Sequence, residues 1–172
     1  MTAPEPVHDV TIRLADQSGD LDWVVTAHGA QYDEESGWDD SFRQLVAQIV
    51  EDYASDHDPD REAGWIAEAR GQRVGCIFCV ATDDVTTAQL RILLVTADAR
   101  GLGVGTRLVD ECLRFARTAG YRRLTLWTND VLASARRIYE AAGFTLHDQE
   151  PHHSFGHNLV GQNWVLELKR QA

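Results

Sequence analysis

A glycine-rich segment between an apolar strand and an amphipathic helix constrains this chain more than any other feature. Residues 90–95 are short and apolar, as is typical of a buried strand, and glycines follow at positions 101, 103 and 105. From Leu108 onward, apolar residues recur at helical spacing. A glycine turn before a helix lets several backbone N–H groups point at one anion, which the helix dipole also favours. The segment therefore predicts a site for a phosphate or pyrophosphate group.

The spacing of these glycines distinguishes three kinds of phosphate-binding loop. A Walker loop needs a lysine before its terminal Ser or Thr, but here Gly105 comes directly before Thr106. A dinucleotide-binding fingerprint needs a glycine three positions after Gly103, where the chain has Thr106. The remaining pattern is Arg/Gln-x-x-Gly-x-Gly/Ala, which Arg100, Gly103 and Gly105 match without a gap.

That pattern resembles the pyrophosphate-binding loop of the GNAT superfamily of N-acetyltransferases. A later stretch resembles a second GNAT motif, with Asn129 before a helix, Tyr139 near its end and Gly143-Phe144 opening the next strand. Together the two motifs cover residues 90–146. The flanking segments are similar to the acetyltransferase module found fused to MarR-type regulators, in residues that include His28, Tyr32, Glu35, Trp38 and His153.

The resemblance implies an α/β GNAT fold, with a mixed, mostly antiparallel sheet of six to seven strands and about four flanking helices. The order of predicted elements, β-α-α-β-β-β-α-β-α-β-β, agrees with it. The strands at residues 90–95 and 124–128 are then expected to separate at their C-terminal ends, with a bulge near Val95 that leaves backbone groups unpaired. Residues 150–161, rich in Pro, His and Gly, are predicted to form a loop beside the acceptor site. We expect residues 1–172 to form a single domain.

The resemblance also implies acetyl-CoA as co-substrate and assigns residues to it. The implied coenzyme contacts are Leu93, Leu94, Val95, Arg100, Gly101, Leu102, Gly103, Val104, Gly105, Thr106, Asn129, Ser134 and Tyr139. Within this set, the Val95 N–H is the implied donor to the oxyanion. The Tyr139 hydroxyl is the implied acid for the departing thiolate.

The residues define the general base and the acceptor less sharply. Glu68, at the end of a predicted strand, is the first candidate for a catalytic base, and Glu35, His28, His153 or a chain of waters are alternatives. The acceptor pocket is predicted to contain His28, Tyr32, Glu35, Trp38 and His153. We expect the acceptor to be the amine of a small molecule or amino-acid-like compound. Two alternatives stay open: a coenzyme A-binding sensor or interaction module without turnover, and an acetyltransferase acting on a protein amine.

Composition and cysteine pattern weigh against other classes of function. The net charge of −11 disfavours nucleic acid and anionic membranes, and no apolar run is long enough to span a bilayer. The first residues lack a signal-peptide pattern, so a cytoplasmic location is expected. No metal is expected, because strand alternation sends Cys76 and Cys79 to opposite faces and no cysteine lies near the histidines of residues 152–157. The sequence leaves a monomer and a homodimer open.

Overall fold

The computed structural model describes residues 10–168, which form one seven-stranded sheet between two helical layers. In chain order the elements are β1 (Val10–Leu14), α1 (Asp20–Ser36), α2 (Asp40–Ser55), β2 (Ala63–Ala69), β3 (Gln72–Ala81), β4 (Thr87–Val95), α3 (Val104–Thr118), β5 (Arg123–Asn129), α4 (Ala133–Ala142), β6 (Thr145–Ser154) and β7 (His157–Glu167). The strand order is β1-β2-β3-β4-β5-β7-β6, and within these residues only β4 and β5 pair in parallel. The predicted mixed, mostly antiparallel sheet with four helices is confirmed.

Apolar side chains on both faces of the sheet hold the helices against it. Helices α3 and α4 cover one face, where Leu108 packs with Leu126. Helices α1 and α2 cover the other face, where Val46 packs with Phe78. Full burial of one such side chain contributes about 1.5–3 kcal/mol to folding. The alternation along β3 places Cys76 on the α1–α2 side and Cys79 on the α3 side, so these two thiols face apart as predicted.

A buried carboxylate fastens the start of α1 to the sheet. The Asp20 side chain is fully buried and accepts hydrogen bonds from Arg13 at 2.7 and 2.9 Å and from the Arg73 Nε at 2.9 Å. The hydrogen bond from Arg13 is the main reason that the pKa of Asp20 falls to about 2. The Arg13 guanidinium also binds Glu68 of β2, with Nη2 2.7 Å from Oε1. One arginine of β1 thus joins α1 to β2.

Strands β4 and β5 pair only where they begin and then separate. Their parallel register runs from Thr87 opposite Arg123 to Gln89 opposite Thr125. Beyond that point, β4 stays paired with β3 and β5 with β7. The predicted separation of the two strands at their C-terminal ends is therefore present.

A bulge in β4 accompanies the separation. Cys76 of β3 pairs with Leu94 and Phe78 pairs with Arg91, so Ile92 and Leu93 together oppose one residue of β3. Ile92 has a φ of 47°, which a β-branched residue adopts only at a cost. The bulge expected near Val95 therefore lies two to three residues earlier, at Ile92 and Leu93.

The prediction of a loop over residues 150–161 is wrong. From Asp148 opposite Asn163, strands β6 and β7 pair without interruption to Ser154 opposite His157, and a two-residue turn joins them. Phe155 and Gly156 in that turn have φ values of 56° and 82°, as a type I′ hairpin turn requires. Pro151 does not prevent the pairing, because β6 is the edge strand of the sheet and needs donors on one side only.

Candidate active site

The separation of β4 and β5 opens a cleft of about 770 Å³. Its walls are the C-terminal part of α1, the end of β4, the glycine segment with the start of α3, and the start of α4. Ten of the thirteen residues predicted to contact the coenzyme line it: Leu93, Leu94, Val95, Arg100, Gly101, Gly103, Val104, Gly105, Thr106 and Ser134. The sequence prediction missed Gln31 and Arg137, which also line the cleft.

The glycine segment presents its backbone to this cleft. Gly101 and Gly103 have φ values of 83° and 77°, and a Cβ added to either would meet no atom within 4 Å. Gly103 is the N-cap of α3, so the first N–H groups of the helix have no partner within it. Gly105 has a different role: a Cβ there would lie 2.6 Å from Ile138 of α4, so glycine is needed for close helix packing.

Two arginines bring positive charge to the cleft of an otherwise acidic protein. Arg100 and Arg137 both line it. Arg100 binds Glu35 of α1, with Nη1 2.6 Å from Oε1, and this contact raises the pKa of the guanidinium. The positive charges, the helix N-terminus and the open glycine backbone together suit a pyrophosphate group.

The end of β4 offers backbone groups to the cleft. The Thr96 N–H donates to the Val74 carbonyl of β3 at 2.9 Å. Because successive residues of a strand alternate in hydrogen-bond direction, the N–H and C=O of Val95 point away from β3 and toward the cleft. The Val95 carbonyl accepts a 2.9 Å hydrogen bond from the Gln31 side chain of α1. This orientation is the one that the predicted oxyanion donor needs.

Tyr139 of α4 is not among the residues that line the cleft. Its side chain is buried, and its ring centroid is 5.9 Å from that of Phe144. Burial, followed by the charges of Tyr32 and Cys112, raises the pKa of Tyr139. The phenol therefore stays protonated through the neutral range, as a proton donor must.

Asn129 ends β5 and does not begin a helix, since α4 starts at Ala133. Its buried side chain accepts a hydrogen bond from His152 of β6 at 2.8 Å. The other ring nitrogen of His152 is 2.9 Å from the Ser154 hydroxyl. The sequence prediction missed His152 because it treated residues 150–161 as a loop. Alternation of side chains indicates which residues point inward only after the segment has been recognised as a strand.

Aromatic rings join the β6–β7 hairpin to the turn between α1 and α2. Trp38 stacks on Tyr32 at 4.9 Å and on Phe155 at 4.8 Å, measured between ring centroids. The Asp39 N–H donates to the Phe155 carbonyl at 3.1 Å, and His157 donates to the Gly37 carbonyl at 2.9 Å. We call this connection the aromatic bridge. It links the β6–β7 hairpin to the two helices that cover the β1–β4 part of the sheet.

Two predicted site residues lie away from the cleft. The Glu68 carboxylate accepts from Arg13 Nε at 2.9 Å, so it belongs to the ion-pair network at the start of α1 and is not positioned as a base. His28 is only 1 % exposed and lies below Tyr32 in the core. It donates to the Val24 carbonyl at 2.7 Å, and burial lowers its pKa to about 4. The structure therefore brings neither residue to the acceptor space.

Of the remaining predicted site residues, two line the cleft and three do not. Tyr32 and Glu35 line the cleft, and burial raises the pKa of Tyr32 to about 12. Trp38 is buried in the aromatic bridge rather than exposed to a substrate. His153 points outward on β6, 2.9 Å from Asn158, and Leu102 is 39 % exposed beside the glycine segment.

Within residues 10–168, no three His, Cys, Asp or Glu side chains converge as the ligands of a metal ion would. None of the helices described there has both the length and the apolar character that crossing a membrane requires.

Comparison with known proteins places this architecture in a family. The family model of the acetyltransferase (GNAT) family matches residues 22–144. The chain belongs to the GNAT acetyltransferase family. A solved structure agrees with the GNAT fold: that of a Salmonella typhimurium protein described as an acetyltransferase with its cofactor acetyl-CoA superposes with a TM-score of 0.74 at 20 % identity, and the match covers 95 % of this chain and 96 % of the Salmonella chain.

Two sequence relatives of this GNAT chain are longer proteins. Human N-acetyltransferase 8B is 32 % identical over 113 residues, which are 62 % of this chain and 47 % of the human protein. N-acetylaspartate synthetase of Danio rerio is 31 % identical over 86 residues, which are 50 % of this chain and 30 % of that protein. The chain thus spans half the length, or less, of these two relatives.

Proposed function

We propose that this chain transfers the acetyl group of acetyl-CoA to the amine of a small or amino-acid-like acceptor. The observation that carries the proposal is the cleft where β4 and β5 separate, because the glycine segment, Arg100, Arg137 and the backbone of Val95 meet there. The glycine segment suits the pyrophosphate of the coenzyme, and the unpaired edges of the strands suit its amide-containing arm.

The proposed chemistry uses one backbone group and one side chain. A neutral amine attacks the thioester carbonyl carbon, and the Val95 N–H stabilises the oxyanion that forms. The thiolate then leaves with a proton from Tyr139, whose raised pKa keeps that proton in place at neutral pH. Asn129 and Ser134 are proposed to contact the coenzyme arm.

The aromatic bridge supports a small acceptor. Trp38 and Phe155 connect the hairpin to the α1–α2 turn, so an acceptor has to enter beside this connection rather than across an open groove. The name of the Danio rerio relative, N-acetylaspartate synthetase, concerns an acceptor of amino-acid size. A cytoplasmic location, the absence of nucleic-acid and membrane partners, and the likeness to the MarR-fused module belong to the same proposal.

A thiol-release assay tests the acceptor class. Small amines, free amino acids, a peptide with a free N-terminus and a peptide with an internal lysine are each offered with acetyl-CoA. We expect the highest kcat/KM with a small amine or amino acid, with the acetylated product identified by mass spectrometry. Turnover of the peptides alone would favour the protein-amine alternative. Coenzyme binding without release of thiol from any acceptor would favour a sensor.

A further inference from the structure

Three polar side chains, those of Asn129 at the end of β5 and of His152 and Ser154 on β6, are connected by hydrogen bonds. His152 donates from Nε2 to the Asn129 Oδ1, because a carboxamide oxygen can only accept. The neutral ring then carries its lone pair on Nδ1, which accepts from the Ser154 hydroxyl at 2.9 Å. Trp127 packs 5.3 Å from the His152 ring. Asn129 thus fixes the tautomer of His152, and that tautomer orients the Ser154 hydroxyl.

Asn129, His152 and Ser154 do not themselves line the cleft, but they lie on the face of the sheet that α1 and α2 cover and connect to the cleft wall through the backbone of Asn129. His152 and Ser154 share one face of β6, since residues two apart on a strand point the same way. That face is directed toward α1 and α2, because His157, the cross-strand partner of Ser154, donates to the Gly37 carbonyl. At the other end, the Asn129 carbonyl accepts from the N–H of Leu132, which lines the cleft.

We propose that Ser154 and His152 form the proton-accepting relay that deprotonates the acceptor amine. The proposal rests on the acetyl transfer proposed above and supplies the base which that transfer needs. Ser154 is the catalytic residue of the pair, because its hydroxyl contacts the amine. His152 acts through Ser154, and Asn129 positions His152.

The acceptor ammonium loses two protons during the transfer, one to the relay and one to Tyr139. The acceptor ammonium gives one proton to the Ser154 oxygen while Ser154 passes its own to Nδ1 of His152. The freed lone pair of the amine attacks the thioester carbon, the C–S bond breaks, and the thiolate takes the Tyr139 proton. The second proton of the amine nitrogen restores the Tyr139 hydroxyl as the amide forms. The His152 imidazolium, stabilised at Nε2 by Asn129, returns its proton to water.

The other titratable groups near the relay have their own partners or lie on the exposed strand. Asp130 accepts the Val160 N–H at 3.1 Å, and Asp39 accepts the Ser41 N–H at 3.0 Å. His157 donates a hydrogen bond to the Gly37 carbonyl. Glu150, two residues before His152, is exposed. On α1, Glu35 of the cleft binds Arg100. His152 is therefore the one titratable group hydrogen-bonded to both Asn129 and Ser154 within residues 10–168.

A pair of amines of similar size tests the relay. Ethylamine is almost entirely protonated at neutral pH, whereas trifluoroethylamine is largely neutral and needs no base before attack. We expect His152→Gln and Ser154→Ala to lower kcat/KM for ethylamine by about 10²-fold, and for trifluoroethylamine by less than about threefold. Ser154→Thr, which keeps the hydroxyl, should restore most of the ethylamine activity. His147→Gln, an exposed histidine on the same strand, is the matched control and should change neither value.

Two further readouts make the outcomes decisive. The affinity for acetyl-CoA should be unchanged in each variant, and the rise of kcat/KM with pH for ethylamine should move to higher pH in His152→Gln. Equal losses for both amines in Ser154→Ala, with unchanged coenzyme affinity, would overturn the relay and leave the proposed function intact. A wild-type protein that binds acetyl-CoA but acetylates neither amine, nor any acceptor of the panel, would overturn the proposed function and the relay together.

Discussion

Gly103 allows a direct test of the glycine segment at the residue scale. Gly103 and Gly120 have φ values of 77° and 90°, and a Cβ at either position would meet no atom within 4 Å. Alanine should therefore strain the backbone alike at both sites, but only at position 103 would its methyl group enter the cleft. We expect Gly103→Ala to weaken acetyl-CoA binding by at least about tenfold, or about 1.4 kcal/mol, in a calorimetric titration.

The matched control is Gly120→Ala, which lies at the end of α3 away from the cleft. It should lower the unfolding midpoint as much as Gly103→Ala while leaving acetyl-CoA affinity unchanged. Equal affinities in the two variants would remove the glycine segment from the coenzyme site.

His28 makes stability depend on pH. Its pKa in the folded state is about 4, below the ordinary value of about 6.5, because burial penalises the charged ring. His28 therefore binds a proton more tightly in the unfolded chain than in the folded one. Its contribution to the free energy of unfolding is fully present above about pH 6.5 and is lost as the pH falls toward 4. Urea unfolding should show a loss of about 2 kcal/mol from this residue between about pH 7 and pH 5.

Substitutions distinguish the contribution of His28 to the pH dependence of unfolding from the contributions of the other histidines. His28→Gln should remove about 2 kcal/mol of the pH-dependent difference, whatever its effect at neutral pH. His147→Gln, whose side chain is 70 % exposed, should retain the full difference. If both variants kept the wild-type pH dependence, a different group would be responsible.

Among the elements, α1 depends on the carboxylate at its start. Removing the charge of Asp20 deprives Arg13 and Arg73 of the carboxylate that they share, although Arg13 keeps its contact with Glu68 and both arginines are partly exposed. The loss of charged hydrogen bonds of this kind costs about 1.5–3 kcal/mol. Asp20→Asn should therefore lower the free energy of unfolding by that amount in urea. Asp40→Asn, which breaks an exposed pair with Arg43, should have little effect, and equal effects would contradict a structural role for Asp20.

The elements also show where sequence patterns are sufficient and where they fail. The glycine segment combines a turn, a helix start and a characteristic spacing, so local residues were sufficient to predict a segment that does line the cleft. The hairpin of β6 and β7 was missed, because Pro151 and Gly156 favour a loop locally while the stability of the strands comes from pairing with distant residues. His152 was missed for the same reason. His153 was chosen instead, although alternation on the real strand points it outward.

At the scale of the whole molecule, the cleft and its surroundings draw on segments that are far apart in the sequence. The glycine segment is built from consecutive residues, and most of the residues predicted around it line the cleft. The aromatic bridge, where we propose that the acceptor enters, joins the α1–α2 turn to the hairpin tip, and its residues Trp38 and Phe155 are more than 100 positions apart in the sequence. Side chains such as Glu68 and His28 looked suitable by type, but the tertiary structure uses them in an ion-pair network and in the core.

The most direct test of the whole account is the rate of acetyl transfer by wild type and Tyr139→Phe, measured as acetylated amine by mass spectrometry. The variant keeps the buried ring but lacks the proton that the departing thiolate needs. We expect its kcat to fall by about 10²-fold or more while acetyl-CoA affinity stays nearly unchanged. Equal kcat values in the two proteins would contradict the assignment of acetyl transfer to this cleft with Tyr139 as the acid.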